Sequence, residues 1–154
     1  MAARDPRWVA AVLDWRWTWL SARILLTGAY ILGGMIKLLN FQAAVAEQEH
    51  FGLHPGVLWA TVAIAIELLG SALIIAGRLV WLGAGALGVL TAVASVCANN
   101  FWDLQGQARF TATNAFFEHI GLIAGFVLAA LLAEHEQRQA SGALARATTP
   151  PGIP

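Results

Sequence analysis

Glu67 stands halfway along an otherwise apolar run, residues 57–77. A carboxylate at the centre of a membrane-spanning helix costs about 3 kcal/mol or more unless it is protonated, paired or turned towards protein interior, and residues that carry this cost commonly serve a function. Without a cation in reach, burial favours the neutral acid, which can donate a hydrogen bond to a carbonyl or quinone oxygen. A second polar set precedes it: Arg23, Thr27, Tyr30, Gly34 and Lys37 recur at i, i+4, i+7, i+11 and i+14, on one face of a helix. Depth counted at about 1.5 Å per residue sets Tyr30 level with Glu67 and gathers Lys37, Asn99, Glu118 and His119 near the outer surface. The sequence thus predicts a hydrogen bond from Tyr30 to Glu67 and an ion pair between Lys37 and Glu118.

The elements that must position these groups are four apolar runs, 20–39, 57–77, 79–99 and 114–133, each of about 20 residues and long enough for a hydrocarbon core of ~30 Å. Of the 154 residues, 58% are hydrophobic and 12% charged, and mean hydropathy is +0.66. Soluble domains carry about 25% charged residues, so the chain reads as a membrane protein in contact with the lipid bilayer. The expected fold class is all-α, a polytopic membrane four-helix bundle with an N-terminal interfacial helix. Its expected parts are a tryptophan-rich interfacial segment over 1–18, the bundle over 19–134 and a disordered cytoplasmic tail over 135–154. In the first part, Asp5-Pro6 suits a helix start, and Trp8, Val12, Trp15 and Trp19 fall on one stripe, as suits a helix lying in the interface.

Small residues let membrane helices approach closely, which predicts inward faces at Ala60, Ala63, Glu67, Gly70, Ser71 and Ile74; at Gly85, Gly88, Ala92, Ser95 and Asn99; and at Glu118, Gly121, Gly125 and Ala129. Arg4, Arg7, Arg16, Arg78, Arg138 and Arg146 fall on one side of these spans, against Arg109 and Lys37 on the other. The positive-inside rule therefore predicts both termini in the cytoplasm.

Formal net charge is zero and there is no basic cluster, which speaks against a nucleic-acid partner. One cysteine, Cys97, excludes an intrachain disulfide and a Cys-x-x-Cys pair, and it reads as a small buried packing residue. His50 and His54 have helical spacing, but no motif fixes a ligand geometry with His119, and no metal site is assigned. The stretch Asn99-Asn100-Phe101-Trp102-Asp103 suits either an interfacial anchor or the mouth of a pocket. Gly83, Gly85 and Gly88 match Gly-x-Gly-x-x-Gly inside an apolar span with no preceding strand, and read as helix packing.

In order and spacing, Ala22-Arg23, Gly33-Gly34-Met35-Ile36-Lys37, Glu67-Leu68-Leu69-Gly70 and Asn100-Phe101-Trp102 resemble the DoxX family of small four-helix membrane proteins of bacteria and archaea, over about residues 21–132. Many members carry a Lys-Asn pair early in the last helix where this chain has Glu118-His119. The resemblance implies a place in the bacterial cytoplasmic membrane, since some relatives are membrane subunits of a thiosulfate:quinone oxidoreductase. Others are implicated in oxidative-stress complexes with a sulfurtransferase and a superoxide dismutase.

The resulting expectation is a membrane protein supporting quinone-linked oxidation of sulfur compounds or thiols, alongside other membrane or outer-face redox proteins. Glu67, Lys37, Glu118 and His119 are the candidate catalytic residues, with Glu67 and Tyr30 donating hydrogen bonds or protons and Lys37, Glu118 and His119 setting the field at the outer mouth; Arg23, Tyr30, Asn100 and Trp102 are the candidate contacts of a quinone cofactor. A non-catalytic structural or assembly subunit of a larger complex is the competing reading, and oligomerisation is left open. A proton-coupled transporter ranks behind both, because no proline interrupts any span.

Overall fold

A computed structural model describes residues 6–148, leaving out the side chains of residues 143 and 145–148. The order is α1 (Arg7–Leu13), α2 (Arg16–Leu39), α3 (Phe41–His50), α4 (Gly56–Ala76), α5 (Val80–Ala98), a 3₁₀ turn (Phe101–Asp103) and α6 (Gly106–Thr148). Four helices, α2, α4, α5 and α6, are long and apolar enough to cross a membrane. Within hydrocarbon, every backbone polar group must be satisfied inside its own segment, which is why apolar runs of this length fold as helices. Both ends of the described chain and the α4–α5 turn lie on one face of the bundle, termed the termini face. The helix α3 and the 3₁₀ turn lie on the other, the loop face.

The chain reverses sharply after α4. Gly77 caps the helix in the left-handed conformation, with φ 68°, and Leu79 takes φ 51° before α5 begins. A left-handed non-glycine residue costs about 1–2 kcal/mol, and here it is over-determined by the contact of the two helices it joins. At that contact a Cβ on Gly83 would stand 2.6 Å from the Gly70 carbonyl oxygen, so the backbones touch and no larger residue fits. Leu87 fills the space over Gly70 and joins Ile74, Val80, Ala84, Phe126 and Ala133 in the main core. The α2–α6 seam carries fewer contacts: Tyr30 on Phe126, with ring centres 5.4 Å apart, and Leu26 against Gly125.

The inward faces of α2 and α4 are those expected, with Thr27 and Gly34 buried on one helix and Ala60, Ala63, Glu67, Gly70, Ser71 and Ile74 on the other. Those of α5 and α6 are rotated from expectation. On α5 the buried residues are Val80, Gly83, Ala84, Leu87, Thr91 and Ser95, while Gly85 and Ala92 are exposed. On α6, Ala112, Phe126 and Ala133 are buried and Glu118 and Gly121 face outward. The hydroxyls mark the inner face of α5 better than its glycines do, because a hydroxyl in hydrocarbon needs a partner and a glycine does not.

Two end regions also differ from expectation. The tryptophan stripe is divided: α1 stops at Leu13, Trp15 caps α2, and Thr18 Oγ1 donates to the Val12 carbonyl at 2.6 Å across the bend. Asp5 lies outside the described residues. The expected disordered tail is helical as far as Thr148, where α6 continues with an Arg138–Glu134 pair at 2.8 Å and an alanine-rich stretch of high helix propensity. Residues 149–154 are outside the described range.

Candidate functional site

The site is set by one close approach. A Cβ on Gly34 would lie 2.9 Å from Leu68 Cδ2 and 3.2 Å from Glu67 Cβ, so glycine lets α2 press against α4 at the level of Glu67 and Leu68. Lys37, three residues on, sits about 4.5 Å nearer the loop face. Its side chain turns back so that Nζ lies 2.5 Å from Glu67 Oε1. The two side chains are 24% and 8% exposed, which makes this a largely buried ion pair inside the span.

Two expectations are corrected by that register. Lys37 pairs with Glu67 rather than Glu118, and Tyr30 bonds Thr91 rather than Glu67. Depth counting assumed that the helices start at a common level, whereas the Gly34 contact slides α2 by about one turn. Glu67 thus has Lys37 beside it, where the sequence reading placed no cation in reach.

Lys37 and Glu67 line a cavity of about 340 Å³, within the range of small-ligand sites. Trp59, Val62 and Ile66 of α4 and Val89, Val93 and Cys97 of α5 form apolar walls, and Glu47 and Gln48 of α3 add polar groups. The helix α3 is held over the start of α4 by Ala44 and Val45 packing on Ala60, and a Cβ on Gly56 would meet the Val45 carbonyl oxygen at 2.8 Å. Glu67 Oε2 is buried beside Gly33, with no hydrogen-bond partner among the described residues. The lysine ammonium has three donors, of which the ion pair uses one. The pair thus combines ammonium hydrogens not used by the ion pair with a carboxylate oxygen that has no partner among the described residues.

A second polar system runs beside the first. Tyr30 Oη donates to Thr91 Oγ1 at 2.5 Å, and Thr91 donates to the Leu87 carbonyl at 2.6 Å. One turn on, Ser95 Oγ lies 2.7 Å from the Thr91 carbonyl and 2.8 Å from His119 Nδ1, with Asn99 Nδ2 3.3 Å from the same nitrogen. A proton on Nδ1 would be donated to Ser95; without one, Nδ1 accepts from Asn99. The chain joins α2, α5 and α6, and with Nδ1 as the acceptor each of these groups has a partner.

The other expected site residues are scattered. Glu118 is exposed on the outward side of α6, while its neighbour His119 faces α5. Arg23 lies at the termini face, 3.9 Å from Glu136, beside Gly77 and 5.8 Å from the Trp19 ring, far from Lys37. Asn100 donates to Asp103 at 3.2 Å, and Trp102 packs edge-on against Phe101 and Phe116. Cys97, expected as buried packing, is exposed on the cavity wall. His50 ends α3 and His54 lies in the following turn, so no single helix presents both. Thr91, Trp59, Glu47 and Gln48 were missed. Thr91 could have been found four residues before Ser95, whereas α3 is too weakly amphipathic for the sequence to show which way Glu47 and Gln48 face.

The model of the DoxX family matches residues 18–100, more than half of the chain, from α2 to the end of α5. The chain belongs to the DoxX family. Neither a curated protein nor a solved structure matches it. The matched region of this DoxX protein contains both halves of the ion pair and every residue named here from its cavity, whereas α6, with Glu118 and His119, lies beyond it.

Proposed function

We propose that this DoxX protein binds a quinone head group at Lys37 and Glu67 and supports quinone-linked oxidation of sulfur compounds or thiols beside a redox partner. The observation that carries this reading is the Lys37–Glu67 ion pair at the side of a mainly apolar cavity, with Glu67 Oε2 buried beside Gly33 and without a partner among the described residues. A quinone fits that donor set, having carbonyls for the free ammonium hydrogens and, when reduced, hydroxyls for Oε2. Such a group supplies two-electron, two-proton chemistry when bound. Lys37 Nζ would hold a carbonyl oxygen by hydrogen bonding, the Glu67 carboxylate would accept from a hydroxyl, and the pair would take up or release a proton there. The lining is mainly apolar, and both interactions strengthen where bulk water is kept away.

The electrons are assigned to a partner protein at the loop face, because one cysteine cannot form an intrachain dithiol couple. Arg7, Arg16, Arg78 and Arg138 lie towards the termini face, which supports a bacterial cytoplasmic membrane location with both termini in the cytoplasm. A purely structural subunit is the second reading, favoured by the way the same ion pair clasps α2 onto α4.

Purification in mild detergent, with extraction and mass spectrometry of bound small molecules and polypeptides, separates the two. A near-stoichiometric quinone is expected. A quinone-free protein held within a larger complex would favour the structural reading.

A further inference from the structure

Val89 lines the Lys37–Glu67 cavity and also a second cavity, an apolar groove of about 580 Å³ between α5 and α6. Val89 is 67% exposed on the outward side of α5 and borders both spaces. From there the groove runs towards the termini face past Gly88, Gly85 and Trp81, with Ala92 at its loop-face end and Val127 and Leu131 as its far wall. A Cβ on Gly85 or Gly88 would meet nothing within 4 Å, so these glycines are not required by packing inside this chain. They are what keeps the groove open.

Charge at the head end adds a second constraint. Glu67 and Glu47 stand in the cavity against Lys37 alone, with Gln48 neutral beside them, so an anionic head group would meet more carboxylate than ammonium. The unpartnered Glu67 Oε2 calls for a donor, not a negative charge.

Resting on the quinone reading, we propose that the ligand is an uncharged, long-tailed lipid quinone, with its head group at Lys37–Glu67 and its polyprenyl tail crossing Val89 into the Gly85–Gly88 groove. From Val89 to Trp81 the tail would follow α5 for about 12 Å. A free anionic sulfur compound would then not be the occupant of this cavity, and its oxidation would fall to the partner. Because lipid tails already solvate a polyprenyl chain, the groove selects by packing, and the expected preference is modest.

The test is equilibrium binding to the full chain in nanodiscs, with a tail-free benzoquinone, a decyl homologue and a long polyprenyl homologue, each counted as mole fraction in the bilayer. For the wild type, affinity is expected to rise with tail length. Gly88→Leu should weaken the polyprenyl homologue by about threefold to tenfold and leave the tail-free compound unchanged. Unaltered tail-free binding serves as the fold control, and Gly85→Leu is an independent second variant. If Gly88→Leu and Gly85→Leu bind the whole series as the wild type does, the groove is covered by bulk lipid only and the tail assignment is overturned, while head-group binding that depends on Lys37 survives. If no homologue binds the wild type, the quinone reading fails and the tail assignment with it.

Discussion

The interior of the bundle holds two polar systems that look alike in composition and differ in completeness. The chain from Tyr30 through Thr91 and Ser95 to His119 and Asn99 gives each of these groups a partner and ties three helices together. The Lys37–Glu67 pair ties two helices, leaves Glu67 Oε2 without a partner and borders a cavity. A satisfied network has spent its hydrogen bonds on the fold, and interhelical bonds of that kind contribute about 0.6 kcal/mol each. An incomplete one keeps capacity for something else, and a buried pair offsets its own desolvation poorly enough that its retention calls for a second reason. Polarity inside the membrane therefore does not by itself separate site from glue, and the proposal rests on the unsatisfied atom.

That contrast can be broken most forcefully at Lys37. Lys37→Met leaves Glu67 uncompensated and should destabilise the bundle by about 3 kcal/mol, measured by reversible unfolding in denaturing detergent. The double variant Lys37→Met with Glu67→Gln should recover most of that loss, and purely additive effects would contradict the pairing. The next effect belongs to Gly34. Gly34→Val forces a side chain into Leu68 and Glu67, with an expected cost of about 1–3 kcal/mol in the same assay and loss of whatever binding the ion pair supports. Retention of both would mean that the close approach of α2 and α4 is not needed.

On the satisfied side the effects shrink. Tyr30→Phe removes one hydroxyl while Thr91 keeps its bond to the Leu87 carbonyl, so about 0.6 kcal/mol is expected, with ligand binding unchanged. A larger loss of binding than of stability would move Tyr30 into the site. Smallest of all is Glu118→Gln, outward-facing and within about 0.5 kcal/mol of the wild type. A double-mutant cycle between Glu118 and Lys37 should show no coupling, and a coupling above about 0.5 kcal/mol would restore the partner expected from the sequence.

Much of the architecture is legible in the residues because hydrocarbon allows so few solutions: the four spans, the polar face of α2 and the small-residue face of α4 all follow from length and period. What periodicity cannot supply is the vertical register of one helix against another. Gly34 sets that register by a contact with Leu68 that no pattern announces, and one turn of slip was enough to reassign both Lys37 and Tyr30. Rotation of α5 was lost for a related reason. Its glycines serve an outward groove as readily as an inward seam, and only the hydroxyls of Thr91 and Ser95, which need partners, point inward unambiguously. The helix α3 is short, weakly amphipathic and held by Ala44 and Val45, so its carboxylate at the cavity is a product of tertiary packing.

The most direct test of the central claim is a binding titration of a tail-free benzoquinone against the wild type, Lys37→Met with Glu67→Gln, and Tyr30→Phe, all in the same nanodiscs. Saturable binding to the wild type and to Tyr30→Phe, weakened at least about tenfold in the ion-pair double variant, is the predicted result. Equal binding to all three proteins, with the double variant folded, would contradict the assignment of Lys37 and Glu67 as the ligand site.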